Sequence, residues 1–279
     1  MINRRLFLAG FAAPLFFYPR VSFSQQDDFT KLLAALEAGT ADFPGAGGRL
    51  EGKAFETSSF AAAQPKVGKS KRKVSSEAIR MITGFEVSGE KTYEAKYRRP
   101  IWPKGASGVT CAVGYDLGYV NSREFEDDWK ADMSAKDRKV LVPALGLKSA
   151  AASAVLPSVQ SVEIPFKVAQ KQFTEQTLPK YIALTESALE NTVALSDGAM
   201  GALVSLTFNR GASYRVRADE DKKGRYKEMR QIRRLMREKK FAEIPDQIRK
   251  MKRLWQDDPD MAGLLTRRDM EADLFEISL

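Results

Sequence analysis

The chain has no histidine and one cysteine, Cys111, so proton transfer falls to Asp, Glu, Lys or Tyr. That excludes Ser-His-Asp triads, Cys-His pairs and His-ligated zinc. It also excludes an internal disulfide and a four-cysteine metal site. Carboxylate acid–base chemistry survives these exclusions. Two carboxylates stand in informative places. Glu86 lies near the end of a predicted helix, between Gly84 and Gly89, and Asp116 lies six residues after Thr110 in a Gly- and Val-rich run. Each also has a structural reading: Glu86 as a solvated helix-end carboxylate, Asp116 as a turn closer. Cys111, within an apolar run, reads as a small buried hydrophobe rather than a nucleophile.

Other motifs carry less. Gly68-Lys69-Ser70 resembles the end of a phosphate-binding loop, but Ala63 replaces its first glycine and no apolar helix follows. Ser70-x-x-Lys73 and Ser88-x-x-Lys91 match a nucleophile motif, as chance allows in a Ser- and Lys-rich chain, and its companion motifs are absent. No cofactor and no metal site is expected.

The elements that must position these residues follow from periodicity. A short helix is predicted over 27–38, closed by Gly39, with Phe29, Leu32, Leu33 and Leu36 on one face. Residues 43–48 break regular structure, and residues 57–73 read as an exposed Ser/Ala/Lys-rich linker. Ser75 reads as an N-cap, followed by Ile79, Ile82 and Phe85 at helical spacing. Tyr93 to Tyr119 is rich in strand and turn signals, and beyond residue 122 the pattern is mostly helical. Helices are expected over 199–208, ending at Asn209-Arg210-Gly211, then over 225–240, 244–255 and 264–275. A small sheet followed by packed helices is an α+β plan.

The N-terminus reads as an address. Arg4-Arg5 precedes a 12-residue apolar run, Leu6 to Phe17, with small residues at Ser22 and Ser24. This is a secretory signal pattern with cleavage after Ser24. Arg4-Arg5-Leu6-Phe7-Leu8 resembles the core of a twin-arginine signal. The run is too short to span a membrane, which takes about 20 apolar residues. Cleavage would lower the formal charge from +9 to +6. The expected organisation is a signal at 1–24, an extension and flexible linker at 25–75, and one catalytic domain at 76–279. The expected location is periplasmic or secreted, with no integral membrane segment after processing.

Three segments in order carry a resemblance to phage-type lysozymes. They are Phe85-Glu86 with the run Gly108 to Gly118, the segment Leu203 to Gly211, and Gly263-Leu264-Leu265-Thr266-Arg267-Arg268-x-x-Glu271-Ala272-x-Leu274-Phe275. The position six residues before Thr110, acidic in many such enzymes, is Lys104, whereas Asp116 lies six residues after it. That displacement is similar to the pesticin-like branch. The resemblance implies a lysozyme-like fold, with a small β-hairpin lobe and a mainly helical lobe. It implies a muramidase cleaving the β-1,4 bond between N-acetylmuramic acid and N-acetylglucosamine of peptidoglycan. The chemistry is compatible: one carboxylic acid protonates the leaving oxygen and a second carboxylate acts on the anomeric carbon, directly or through water. Glu86 fits the acid, Asp116 the second carboxylate and Thr110 the hydroxyl that holds water. Trp102, Tyr115 and Asn209 are candidate substrate contacts. A monomer is expected, and an immunity or inhibitor protein is a conceivable partner.

Two other classes compete. One is a non-catalytic wall-binding protein on the same fold. The other is a nucleic-acid binder, because Lys222 to Arg253 carries 14 Lys+Arg against four acidic residues. That stretch lacks an aromatic platform or recognition-helix pattern, and its apolar spacing suits packing, so no nucleic-acid partner is expected.

Overall fold

The computed structural model describes residues 23–40 and 67–279. Most of the predicted signal (residues 1–22) and the Gly/Pro-rich and Ser/Ala-rich stretch at 41–66 lie outside the described residues.

A long apolar face needs a partner, and the first helix finds one at once. α1 (Phe23–Ala38) buries Phe29, Leu33 and Leu36 and ends at Gly39, whose φ is +61°. It packs on α2 (Ser76–Val87), α3 (Gly89–Lys96) and the last helix of the chain. The helix predicted for this segment therefore packs into the core of the described residues. Its end is pinned too. The Ser70 N–H donates to Pro179 O at 3.0 Å, Arg72 donates to Thr192 O and Leu195 O at 2.6 and 2.7 Å, and Val74 is buried. The Ser/Ala/Lys composition suggested a solvated linker, but it could not reveal these long-range acceptors.

α2 starts as predicted. Ser75 Oγ accepts from the Ala78 N–H at 3.2 Å, filling an orphan donor of the first turn. The helix ends at Ser88, in the left-handed region, and Glu86 sits in its last turn. The strand-rich expectation for 93–119 is corrected in part, because Tyr93 to Lys96 belongs to α3. Tyr93 favours strands in isolation, but here its ring packs on Phe166 and its hydroxyl donates to Ile164 O. What remains extended is small: β1 (Thr110–Cys111) pairs antiparallel with β2 (Tyr115–Asp116), and Ile101 bridges to Thr110 on the other side.

Helices follow: α4 (Ser122–Trp129), α5 (Ala135–Leu141), α6 (Ser149–Val159), α7 (Phe166–Gln172) and α8 (Leu178–Ala188). A π-helical turn, Phe173–Thr177, joins α7 to α8 ahead of Pro179. α9 (Asp197–Arg210) is buried from Gly198 to Arg210 and forms the axis of the fold, packing on α2, α8 and α12. A Cβ on Gly201 would collide with the Ala78 side chain, so glycine is what lets α9 approach α2. α10 (Lys227–Glu238), α11 (Ile244–Lys250) and α12 (Ala262–Ile277) close the chain. The fold is α+β: mainly helical, with one two-stranded antiparallel sheet among the described residues. Among these residues no helix is long and apolar enough to cross a membrane.

Candidate active site

The hairpin aligns two of the predicted residues. Its register sets Thr110 directly opposite Asp116 and Cys111 opposite Tyr115. Facing cross-strand residues share one side of a sheet, so Thr110 and Asp116 project together while Tyr115 projects the other way. Both are buried, Thr110 fully. Asp116 Oδ1 accepts from the Gly108 N–H at 3.0 Å and from the Gly118 N–H at 2.8 Å. A Cβ on Gly108 would collide with this carboxylate and with the Gly118 backbone, so the approach depends on glycine.

Glu86 lies under the hairpin tip. Gly114, at φ +67°, turns the chain there, and a Cβ on it would sit 3.4 Å from Glu86 Oε2 and 3.4 Å from the Phe208 ring. Glu86 Oε1 accepts from Arg267 Nη1 at 2.9 Å, and both side chains are buried. The Arg267 guanidinium also lies 5.4 Å from the centre of the Phe85 ring.

This ion pair opens into a larger network. Arg267 Nε and Arg268 Nη2 both donate to Glu271 Oε1, at 3.3 and 2.9 Å, and Ser205 Oγ donates to the same oxygen at 2.6 Å. Arg268 Nη2 also reaches Asn209 Oδ1 at 3.1 Å. Two carboxylates and two guanidiniums thus balance inside the core, joining α2, α9 and α12. Isolated buried charges are costly, and pairing with hydrogen bonds is what makes them tolerable. Desolvation still pushes Arg268 down to about 10. Burial pushes the Cys111 thiol up, as suits the inert reading of that residue.

The structure thus brings Glu86 to the hairpin that carries Thr110 and Asp116, and links Asn209 to Glu86 through Arg268, Glu271 and Arg267. Trp102 is half-buried, and its Nε1 donates to Ser107 O at 3.1 Å, bracing the turn before β1. Tyr115 stands apart, as its strand position requires. Its hydroxyl donates to Asp128 Oδ2 at 2.9 Å and its ring meets Trp129 edge-on. There it serves core packing and a second charge cluster, in which Lys180 and Lys69 also meet Asp128. Arg267, Arg268 and Glu271 lie in the closing segment Gly263 to Phe275, where their charge alone gives no sign of burial. Among the described residues no group of three or more His, Cys, Asp or Glu is placed to hold a metal.

No curated protein and no solved structure matches the chain. Residues 81–188 match a family described as a domain of unknown function (DUF8812), a span that holds Glu86, Thr110 and Asp116 and stops short of Asn209 and Arg267.

Proposed function

We propose that the chain is an exported peptidoglycan hydrolase, a muramidase of lysozyme-like fold, with Glu86 as the acid and Asp116 with Thr110 as the second catalytic group. The observation that carries this reading is the placement of a helix-end Glu beneath a hairpin whose register aligns Thr110 with Asp116. Such an arrangement supplies two carboxylates on neighbouring elements, as glycosidic hydrolysis requires. The substrate assignment rests on the resemblance to phage-type lysozymes, and export rests on the N-terminal sequence pattern. The decisive experiment is turbidity loss of purified cell walls, with the wild type active and Glu86→Gln, shown by its melting curve to be folded at the assay temperature, inactive. Intact walls in the presence of folded wild type refute the assignment.

One observation favours the second reading, a non-catalytic wall-binding protein. Glu86, Thr110 and Asp116 are only 3%, 0% and 6% exposed, so a glycan meets them only if the structure around the hairpin opens. Wall co-sedimentation without turbidity loss would select that reading.

A further inference from the structure

A separate feature lies on α10. Arg230, Arg233, Arg234 and Arg237 follow the i, i+3, i+4, i+7 spacing and so share one face of the helix. The opposite face buries Met229, Ile232, Leu235 and Met236. After α9, the chain brings Arg215 and Arg217 to the same place. These six arginines line a cavity of about 260 Å³.

The charge there is incompletely balanced. Arg233 pairs with Glu190 at 2.9 Å and Arg230 with Asp221 at 2.8 Å. Arg217 pairs with Asp219 in an exposed contact, and Arg234 reaches Glu238 only at 3.7 Å. Arg215 and Arg237 form no ion pair with a carboxylate among the described residues, and Arg215 donates instead to Ser187 O at 3.0 Å. Like charges at i, i+3 and i+4 destabilise a helix, so the cluster has a cost that packing does not explain.

The residue type narrows the ligand. Every cation on the wall is arginine, although Lys227, Lys239 and Lys240 lie on or beside the same helix. Guanidinium forks match phosphoryl oxygens in two-point contacts that an ammonium cannot make. The one aromatic on the wall, Tyr214, is buried and its hydroxyl meets Thr207 at 3.1 Å, so it offers no stacking platform for a base.

We propose that this pocket binds a multiply charged phosphoryl group that carries no nucleobase, either free or on a polymer. The site is independent of the hydrolase reading. The test is calorimetric titration of the full chain with inorganic pyrophosphate at fixed ionic strength. Saturable one-to-one binding is expected, weakened about tenfold or more in Arg234→Gln/Arg237→Gln, since hydrogen bonds to charged groups are the strong ones. Both side chains are exposed, and a melting curve confirms that the variant is folded. Absence of saturation, or equal binding by the arginine variant, overturns the proposal. Short-chain polyphosphate binding more tightly than pyrophosphate identifies a polymer as the source, and equal affinity identifies a free phosphate. A single-stranded oligonucleotide that outcompetes polyphosphate of matched charge also overturns it, in favour of nucleic acid.

Discussion

Arg267 and Glu86, 181 residues apart in the chain, meet in the core at 2.9 Å with neither side chain open to solvent. This contact ties the last helix to the second, directly beneath the hairpin. Glu271 accepts from the same guanidinium at 3.3 Å, so Arg267 divides its donors between two buried carboxylates.

Replacing Glu86 by Gln should therefore lower both lysis and stability. Breaking a buried pair from one side costs roughly 3–5 kcal/mol, less where the remaining charge keeps a partner as Arg267 keeps Glu271. Acid–base catalysis contributes about 10²–10⁴-fold, so wall lysis should fall by that order. A double-mutant cycle with Arg267→Met, read by urea unfolding, should give a coupling of about 0.5–3 kcal/mol. Additive effects would mean that the contact carries no net energy.

Gly108→Ala should disturb Asp116 without touching Glu86. The added Cβ would meet the Asp116 carboxylate and the Gly118 backbone, and backbone cannot swing aside. A loss of about 1–3 kcal/mol is expected, as for overpacking elsewhere. Wild-type stability in this variant would mean that the hairpin yields, and Asp116 would need another support.

Cys111 should resist thiol reagents in the native protein and react at once in denaturant. It is buried, and burial raises its thiol well above the usual range. Rapid native labelling would reveal an opening of the hairpin that the closed structure does not contain.

The local parts of this architecture were legible because their causes are local. The Ser75 cap, the stop at Gly211 after α9, and the apolar face of α10 follow from residue type and spacing. The Thr110–Asp116 pairing was nearly readable as well, since Gly114 between them marks a turn. What was missed depends on distant partners. Phe29, Leu33 and Leu36 announced a buried face but not the helices that bury it. Arg267, Arg268 and Glu271 carry charges, which ordinarily mark a surface, and only their mutual neutralisation places them inside.

The docking of α1 should be acid-labile. Glu37 on α1 is held below the ordinary carboxylate range, chiefly by the hydrogen bond from Arg80 on α2. At the other end, burial raises Glu276, but Arg249 and Gln25 outweigh it and hold it low. Both groups have depressed values in the folded state. Their stabilisation is thus complete above the unfolded value of 4.5 and is lost as pH falls through the lower folded values. Between neutral pH and about pH 3, amide protection factors in α1, corrected for the slower intrinsic exchange in acid, should fall relative to those in α9. An equal fall in both helices would mean that α1 is no separate unit.

Asp116 offers the sharpest separation of structure from chemistry. Its Oδ1 accepts from both Gly108 and Gly118, and Oδ2 makes a longer 3.2 Å contact with Gly108. Asn can turn its carbonyl oxygen toward the two N–H groups and place its amide where Oδ2 was. Asp116→Asn should thus fold nearly as well as the wild type. Asp116→Ala loses both acceptors and should cost about 0.5–2 kcal/mol, as for a lost helix cap. If Asp116 acts on the anomeric carbon or its water, both variants lose lysis alike, because neither carries a carboxylate. If it serves only to cap the turn, lysis follows stability and Asn remains active. Thr110→Val completes the series: nearly the same shape without the hydroxyl, it should fold and yet lose turnover if Thr110 holds the water. Full lysis by both Asp116→Asn and Thr110→Val would leave Glu86 without its partner on this hairpin and send the search for the second carboxylate to Glu90 and Glu94 on α3.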